Sequence, residues 1–439
     1  MGFAVYLLFL AMSFVRPDAY APALAAHRPM AVLVALALPL ALFYTLRRKQ
    51  WPARPAAFGS LGLLALSVGI SVAVNGWVGG GLRAFGEFAP VALGGVLTML
   101  NITSWRRLRI AAAVIVWSMT GLTALSTYSY YTGFDTQRYV LQEYGSVTDS
   151  PDQFYVPADH LEQGVLFRIR SVGLLADPND FSQMMVVALA LLWGLYAGRG
   201  KLRSMPTLLL PSGILLWGLY LAHSRGSLIG LGLAVIAGLW RTVGPVRSMA
   251  ILGAGGVLAK LLNFTGGREI SDAGASAAHR IDYWNLGLHL TASHPLFGIG
   301  YGNFENANTM TGQTAHNTFM LCAAELGLVG LFLFTSLLLF SFRELNGVIA
   351  GSADDPRVRR FATGLRAALV GFLACAWFLS RTYDPLLYIL LGLCLASGRA
   401  LGKTAAEQQR WVFATSLWAF LTLVLLYAFV VGQRIAGHG

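Results

Sequence analysis

Long apolar stretches recur along this chain from Phe3 to the last residues, separated by short polar or basic segments. Such runs approach the roughly 20 residues that a helix needs to cross a bilayer. In lipid each backbone N–H and C=O must be satisfied within the protein, which an α-helix achieves inside a single segment. The runs predict helices at 2–15, 30–46, 56–75, 84–102, 110–131, 181–197, 205–223, 227–240, 248–264, 316–342, 361–380, 385–398 and 411–432. The first, eighth and twelfth are short for a perpendicular crossing. The expected fold is an all-α polytopic membrane protein with about 12–13 transmembrane helices.

A soluble chain of 439 residues would divide into two or three domains. Here 56% of residues are hydrophobic and 12% are charged, against about 25% charged in soluble proteins. Residues 1–439 are therefore expected to form one transmembrane domain. Cys322, Cys375 and Cys394 fall inside apolar runs, at spacings that fit neither a metal site nor a disulfide framework. The first segment lacks the basic start of a cleavable signal peptide and is read as a span.

The net charge of +12 could point to nucleic acid, but its distribution points to topology. Segments 47–54, 106–109, 199–203, 241–247, 343–366 and 399–410 alternate onto one side. They hold about 20 of the 32 Lys+Arg and about 4 of the 20 Asp+Glu. That side is read as cytoplasmic. Two long loops then face outward, 132–180 and 265–315. The first reads as polar and irregular. The second contains a short helix, 277–291, and a Gly-rich turn from His294 to Gly302. Loops this long are commonly functional, and they are expected to form the active site.

Outward basic residues are nearly all arginine: Arg138, Arg168, Arg170, Arg225, Arg268, Arg280 and Arg381, with Lys260 the exception. Guanidinium offers a permanently charged planar fork that suits phosphate. The plainer account is that these arginines snorkel or pair with Asp384, Asp282 or Glu269. His316 stands at the head of a long apolar run. A helix N-terminus disfavours imidazolium and keeps the ring ready to accept a proton. A satisfied polar residue at a helix start is the competing account. Asp177-Pro178-Asn179-Asp180 reads as an N-cap with Pro at the first helical position. Glu325 reads as structural. Tyr301, Asn303 and Glu305 follow the Gly-rich turn and are candidates to line a sugar site. Arginines gathered near outward helix N-termini make a site for a multiply charged anion at the membrane surface. No Walker motif, dinucleotide fingerprint or zinc spacing is present.

Four pieces stand in chain order. Arg170 to Phe181 carries Gly173 and Asp177-Pro178-Asn179. Ser224-Arg225-Gly226 forms a corner between two spans. Arg280-x3-Trp284 is followed by His294-Pro295, Gly298-x-Gly300 and Asn303-Phe304. His316-Asn317 is followed, nine residues on, by Gly327-Leu-Val-Gly330. Over roughly 165–330 these pieces resemble the O-antigen ligase and polymerase superfamily, and the last is similar to the ligases' signature. The resemblance implies a GT-C-type enzyme of the bacterial inner membrane with its active site facing the periplasm. It implies a polysaccharide donor on undecaprenyl diphosphate, a lipid A-core acceptor, inversion at the anomeric carbon, and neither cofactor nor metal. His316 would be the general base. Arg225 and Arg280 would bind the diphosphate, with Arg170, Arg168 and Arg381 as further contacts. Asn317, Trp284, Tyr301 and Asp177 would support them. An O-antigen polymerase would use the same chemistry on a lipid-linked acceptor. A protein O-oligosaccharyltransferase or a transporter of lipid-linked glycan are the other readings.

Overall fold

The computed structural model describes residues 2–20, 23–24, 27, 29–49, 55–144, 156, 165–196, 201–264, 270–402 and 411–435. Among the described residues fourteen long helices follow one another: α1 Gly2–Val15, α2 Pro29–Arg48, α3 Pro55–Val74, α4 Val78–Asn101, α5 Trp105–Thr132, α6 Pro178–Tyr196 and α7 Lys201–Ala222, then α8 Arg225–Val243, α9 Pro245–Leu261, α10 Ile270–Ser293, α11 Thr318–Ala350, α12 Pro356–Ala376, α13 Pro385–Leu401 and α14 Trp411–Ile435. Six of them begin at proline, where the missing N–H would have had no helical partner and the fixed φ suits the first turn. Every expected span lies on a helix whose ends fall within eight residues of those expected. Among the described residues seven helices are long and apolar enough to cross a membrane. Gly2–Val15, Arg225–Trp240 and Pro385–Leu401 are apolar but shorter, the three segments that the sequence marked as short.

Leu417, Trp418, Phe420, Leu425 and Tyr427 on α14 are exposed, as are Leu63 and Leu66 on α3. Such apolar surface would be untenable in water and is ordinary against hydrocarbon. The chain is an all-α polytopic membrane protein.

Two loop expectations are corrected. The helix in the second loop is α10, Ile270–Ser293, and starts seven residues before the expected 277. Gly274 lies inside that extension, where it costs helix stability without ending the helix. The first loop carries an antiparallel pair, β1 Val140–Tyr144 and β2 Leu166–Ile169, with a bulge between Gln142 and Tyr144. Two strands this short give too brief a period-2 signal to stand out beside long helical runs. Arg268 and Glu269 lie outside the described residues, as does most of 145–164.

The helices group into two units, each assembled from three separated stretches. Unit one is Met1–Leu40, Ser104–Gly267 and Ile349–Cys375; unit two is Ala41–Thr103, Arg268–Val348 and Ala376–Gly439. In unit one, α6 and α12 meet at Gly194 and Gly364, where an added Cβ on Gly364 would sit 2.7 Å from the Gly194 Cα. Small residues let membrane helices approach this closely.

Unit two is organised around a break in α11. Gly327 has φ 65° and ψ −165°, a conformation essentially confined to glycine. The Gly-rich turn occupies the break. Ile299 N–H donates to the Ala324 carbonyl (2.9 Å) and Gly300 N–H to that of Glu325 (3.1 Å). In return Leu328 N–H donates to Pro295 O (2.8 Å) and Val329 N–H to Leu296 O (3.2 Å). No side chain fits this crossing: a Cβ on Gly298 would stand 2.4 Å from the Glu325 carbonyl carbon, and one on Gly327 2.4 Å from Leu296 O. The Glu325 carboxylate is buried there and accepts from Phe304 N–H (3.0 Å) and Tyr383 OH (2.8 Å). Asn75, at the end of α3, donates to the Gly298 carbonyl at 2.9 Å.

Candidate functional site

In unit two the backbone reverses at His316, whose φ is 45°. A non-glycine residue in this left-handed region is uncommon, although histidine is among the more tolerant types. Both neighbours are locked. Before it, the buried Trp284 of α10 donates its indole N–H to Ala315 O (3.0 Å). After it, the buried Asn317 accepts from Phe319 N–H and Met320 N–H (both 2.9 Å) and donates to Trp377 O (2.9 Å). Asn317 is thus the N-cap of α11, satisfying two of the donors that a helix start leaves open.

The imidazole between these anchors is half-buried. Its Nε2 lies 3.2 Å from Gln313 Oε1, which also accepts from Tyr283 OH at 3.4 Å. The Tyr283 ring stands 6.0 Å from the imidazole, and His279 stacks on the same tyrosine at 6.3 Å. Gln313 and Tyr283 did not emerge from the sequence. Their positions, three residues before His316 and one before Trp284, were the available signal.

Arg280 lies on α10 four residues before Trp284, its guanidinium 5.8 Å from the Phe378 ring centroid. Arg381 pairs with Asp384 (3.3 Å), as the plainer account anticipates, and its backbone N–H donates to Thr318 Oγ1 (2.9 Å). Asp384 also caps α13 through Leu386 N–H. Tyr301 packs edge-on against Tyr383, 4.6 Å between centroids. Burial first, then nearby carboxylates, pushes both phenols above their ordinary pKa.

Unit one holds the second cluster. Arg168 on β2 is 2% exposed. Its Nε donates to Ala222 O (2.7 Å) and a terminal nitrogen to Asn179 Oδ1 (2.8 Å). Ser224 donates to the same Asn179 oxygen (2.9 Å), so Arg168 and Asn179 clamp the Ser224-Arg225-Gly226 corner. Asp177 is the expected cap of α6: its Oδ1 accepts from Asn179 N–H (2.7 Å), with Pro178 at the first helical position. Arg170 donates to Gln137 O (2.6 Å), while its Nε is buried without a hydrogen-bond partner. Burial lowers its pKa and the Asp177 charge opposes that shift. Arg225 opens α8 half-buried, and among the described residues its guanidinium makes no hydrogen bond or ion pair. A charge held this way is expensive unless a ligand partners it.

The sequence also missed His223, two residues before Arg225, which shares the left-handed φ of 45°. It is 1% exposed and its Nδ1 lies 2.9 Å from Phe264 O.

Arg225, Arg280, Trp284, Tyr301, His316 and Asn317 fall within residues 210–335, which match the model of a family described as O-antigen ligase. Arg168, Arg170, Asp177 and Arg381 lie outside the matched stretch. The match supports the O-antigen ligase and polymerase superfamily without separating ligase from polymerase. No curated protein matches the chain.

Proposed function

With that family match as premise, we propose that this chain is a membrane glycosyltransferase of the ligase type. It moves polysaccharide from undecaprenyl diphosphate to the lipid A-core of lipopolysaccharide at the periplasmic face of the bacterial inner membrane. The observation that carries the reading is His316: a half-buried imidazole on a backbone reversal whose two neighbours are locked by Trp284 and Asn317. A sugar hydroxyl is a poor nucleophile unless its proton leaves as the new bond forms, and a positioned base contributes about 10²–10⁴-fold. The contact of Nε2 with Gln313 Oε1 steadies the ring, and the neutral imidazole takes the proton of the hydroxyl.

In the step itself the acceptor oxygen bonds to the anomeric carbon and its proton passes to His316. The bond from that carbon to the diphosphate oxygen breaks, and its electron pair leaves with undecaprenyl diphosphate. Attack opposite the leaving group inverts the centre. Arg225 and Arg280 are assigned to the diphosphate, whose charge their planar forks suit. Arg170 is a lesser contact. Arg168 and Arg381, both engaged within the protein, are assigned to holding the corner and the head of α11. Neither a metal nor a cofactor has a step in this scheme.

The test is purified enzyme with lipid-linked donor and lipid A-core acceptor, read by gel. Transfer is expected and should persist in EDTA. Loss in EDTA restored by a divalent ion overturns the metal-free step. In cells lacking the protein, core without polymer and accumulated lipid-linked polymer are expected; core carrying one repeat unit makes the chain a polymerase instead. Orientation is tested separately. Cysteines placed at 137 and 306, both exposed, in a chain free of the native three, should react with an impermeant maleimide in spheroplasts, and one at 354 should not.

A further inference from the structure

At the opposite end of α5 from the 132–180 loop, unit one contains a cavity of about 270 Å³. It lies between the head of α5 and the tail of α6. Arg106 and Arg109 enter it from one helix, Leu195 and Tyr196 from the other, with Trp105 at the side and Ile110 one turn deeper. Arg106 is exposed and Arg109 half-buried. Among the described residues neither guanidinium makes a hydrogen bond or meets a carboxylate. Arg109 lies over the Trp105 ring, 5.4 Å from its centroid, and Trp105 is held edge-on by Phe361 at 5.0 Å. The cavity therefore has two cations at its mouth and an apolar wall that continues down a helix qualified to span a membrane.

Three features select the occupant. Two guanidiniums that meet no acid among the described residues call for an anion with several acceptor oxygens. Trp105 and Tyr196 are the residue types that settle at the level of lipid headgroups. The cavity flanks the first turns of a 28-residue helix, whose partly positive start also favours negative charge. Basic pockets between spans hold anionic headgroups. We propose that this cavity binds the phosphate of an anionic diacyl phospholipid, with the glycerol and the start of an acyl chain against Ile110 and Leu195. The proposal uses no residue assigned to glycosyl transfer and stands apart from that reading.

The experiment is native mass spectrometry of the full chain released from neutral detergent with equimolar phosphatidylglycerol and phosphatidylcholine of identical chains. The wild type should retain the anionic lipid over the zwitterionic one by on the order of tenfold. The double variant Arg106→Gln/Arg109→Gln should lose that preference. Arg106→Gln alone, at an exposed position with little bearing on folding, should lose part of it. Arg83→Gln, on the exposed pair with Glu87, should retain it. Excess inorganic phosphate should leave the lipid bound. Equal retention of both lipids by the wild type overturns the proposal, as does an unchanged preference in both Arg106 variants. Displacement by inorganic phosphate would reduce the cavity to a simple anion site and overturns the lipid assignment.

Discussion

Two helix starts in this chain share one local design. Ala222-His223-Ser224-Arg225 opens α8 and Ala315-His316-Asn317-Thr318 opens α11. In each, a buried alanine precedes a histidine at φ 45°, and a buried polar residue follows. The rings then diverge. His223 is enclosed, its Nδ1 on Phe264 O and its face against Tyr220 at 5.3 Å. His316 is half-open, with polar neighbours in Tyr283 and Gln313. The following residues diverge as well: Asn317 caps its helix, whereas Ser224 makes no cap bond and turns to Asn179. Reversing the chain into a helix therefore does not by itself leave an imidazole open. What distinguishes the two is which ring remains reachable once the backbone is satisfied.

Asparagine tolerates the left-handed region, so the same replacement at both histidines isolates the ring from the turn. His316→Asn should insert normally and lower transfer by about 10²–10⁴-fold, measured at equal protein level with purified donor and acceptor. His223→Asn should lower the melting temperature in detergent while transfer per folded molecule changes less than about twofold, since its bond contributes only ~1 kcal/mol. If the two responses were exchanged, the comparison would be inverted and the base would sit on the other corner.

Next in size is Arg225→Lys. Lysine keeps the charge and loses the fork. Loss of one charge-assisted hydrogen bond, about 1.5–3 kcal/mol, should slow transfer about 10–10²-fold, read as initial rate against donor concentration. Wild-type activity in that variant would leave Arg225 as a snorkelling cation.

The smallest effects belong to the residues between. Asn317→Ala removes two accepted bonds and leaves the Trp377 carbonyl without its donor, a loss of ~1–3 kcal/mol seen as earlier thermal unfolding. Ser224→Ala removes a hydroxyl that caps nothing and should cost ~0.5–1.5 kcal/mol in the same assay. Equal losses would mean that the cap at Asn317 contributes nothing of its own.

The spans were legible because lipid imposes one backbone solution on any long apolar run. The Asp177-Pro178 cap was legible because both residues act on their own neighbours. Trp284 and Asn317 were picked out by resemblance, while their partners, Ala315 O and Trp377 O, are main-chain atoms that no residue identity announces. The same blindness hid the crossing of 295–300 with 324–329. Gly298, Gly300 and Gly327 could be seen as glycines, but not that the first must leave room for the backbone at Glu325 and the last for that at Leu296. His223 went unnoticed because a buried histidine and an exposed one are written with the same letter.

The break at Gly327 bears on how the protein can be made. A continuous span can leave the insertion machinery alone, with all its main-chain groups already paired. α11 cannot, because Leu328 and Val329 need carbonyls from a turn synthesised some thirty residues earlier, and an orphaned amide in hydrocarbon costs several kcal/mol. The ribosome delivers that turn first. The order of the two segments in the chain is thus also an order of assembly, and a permuted gene that placed 294–303 after α11 would present the membrane with a helix it has reason to reject.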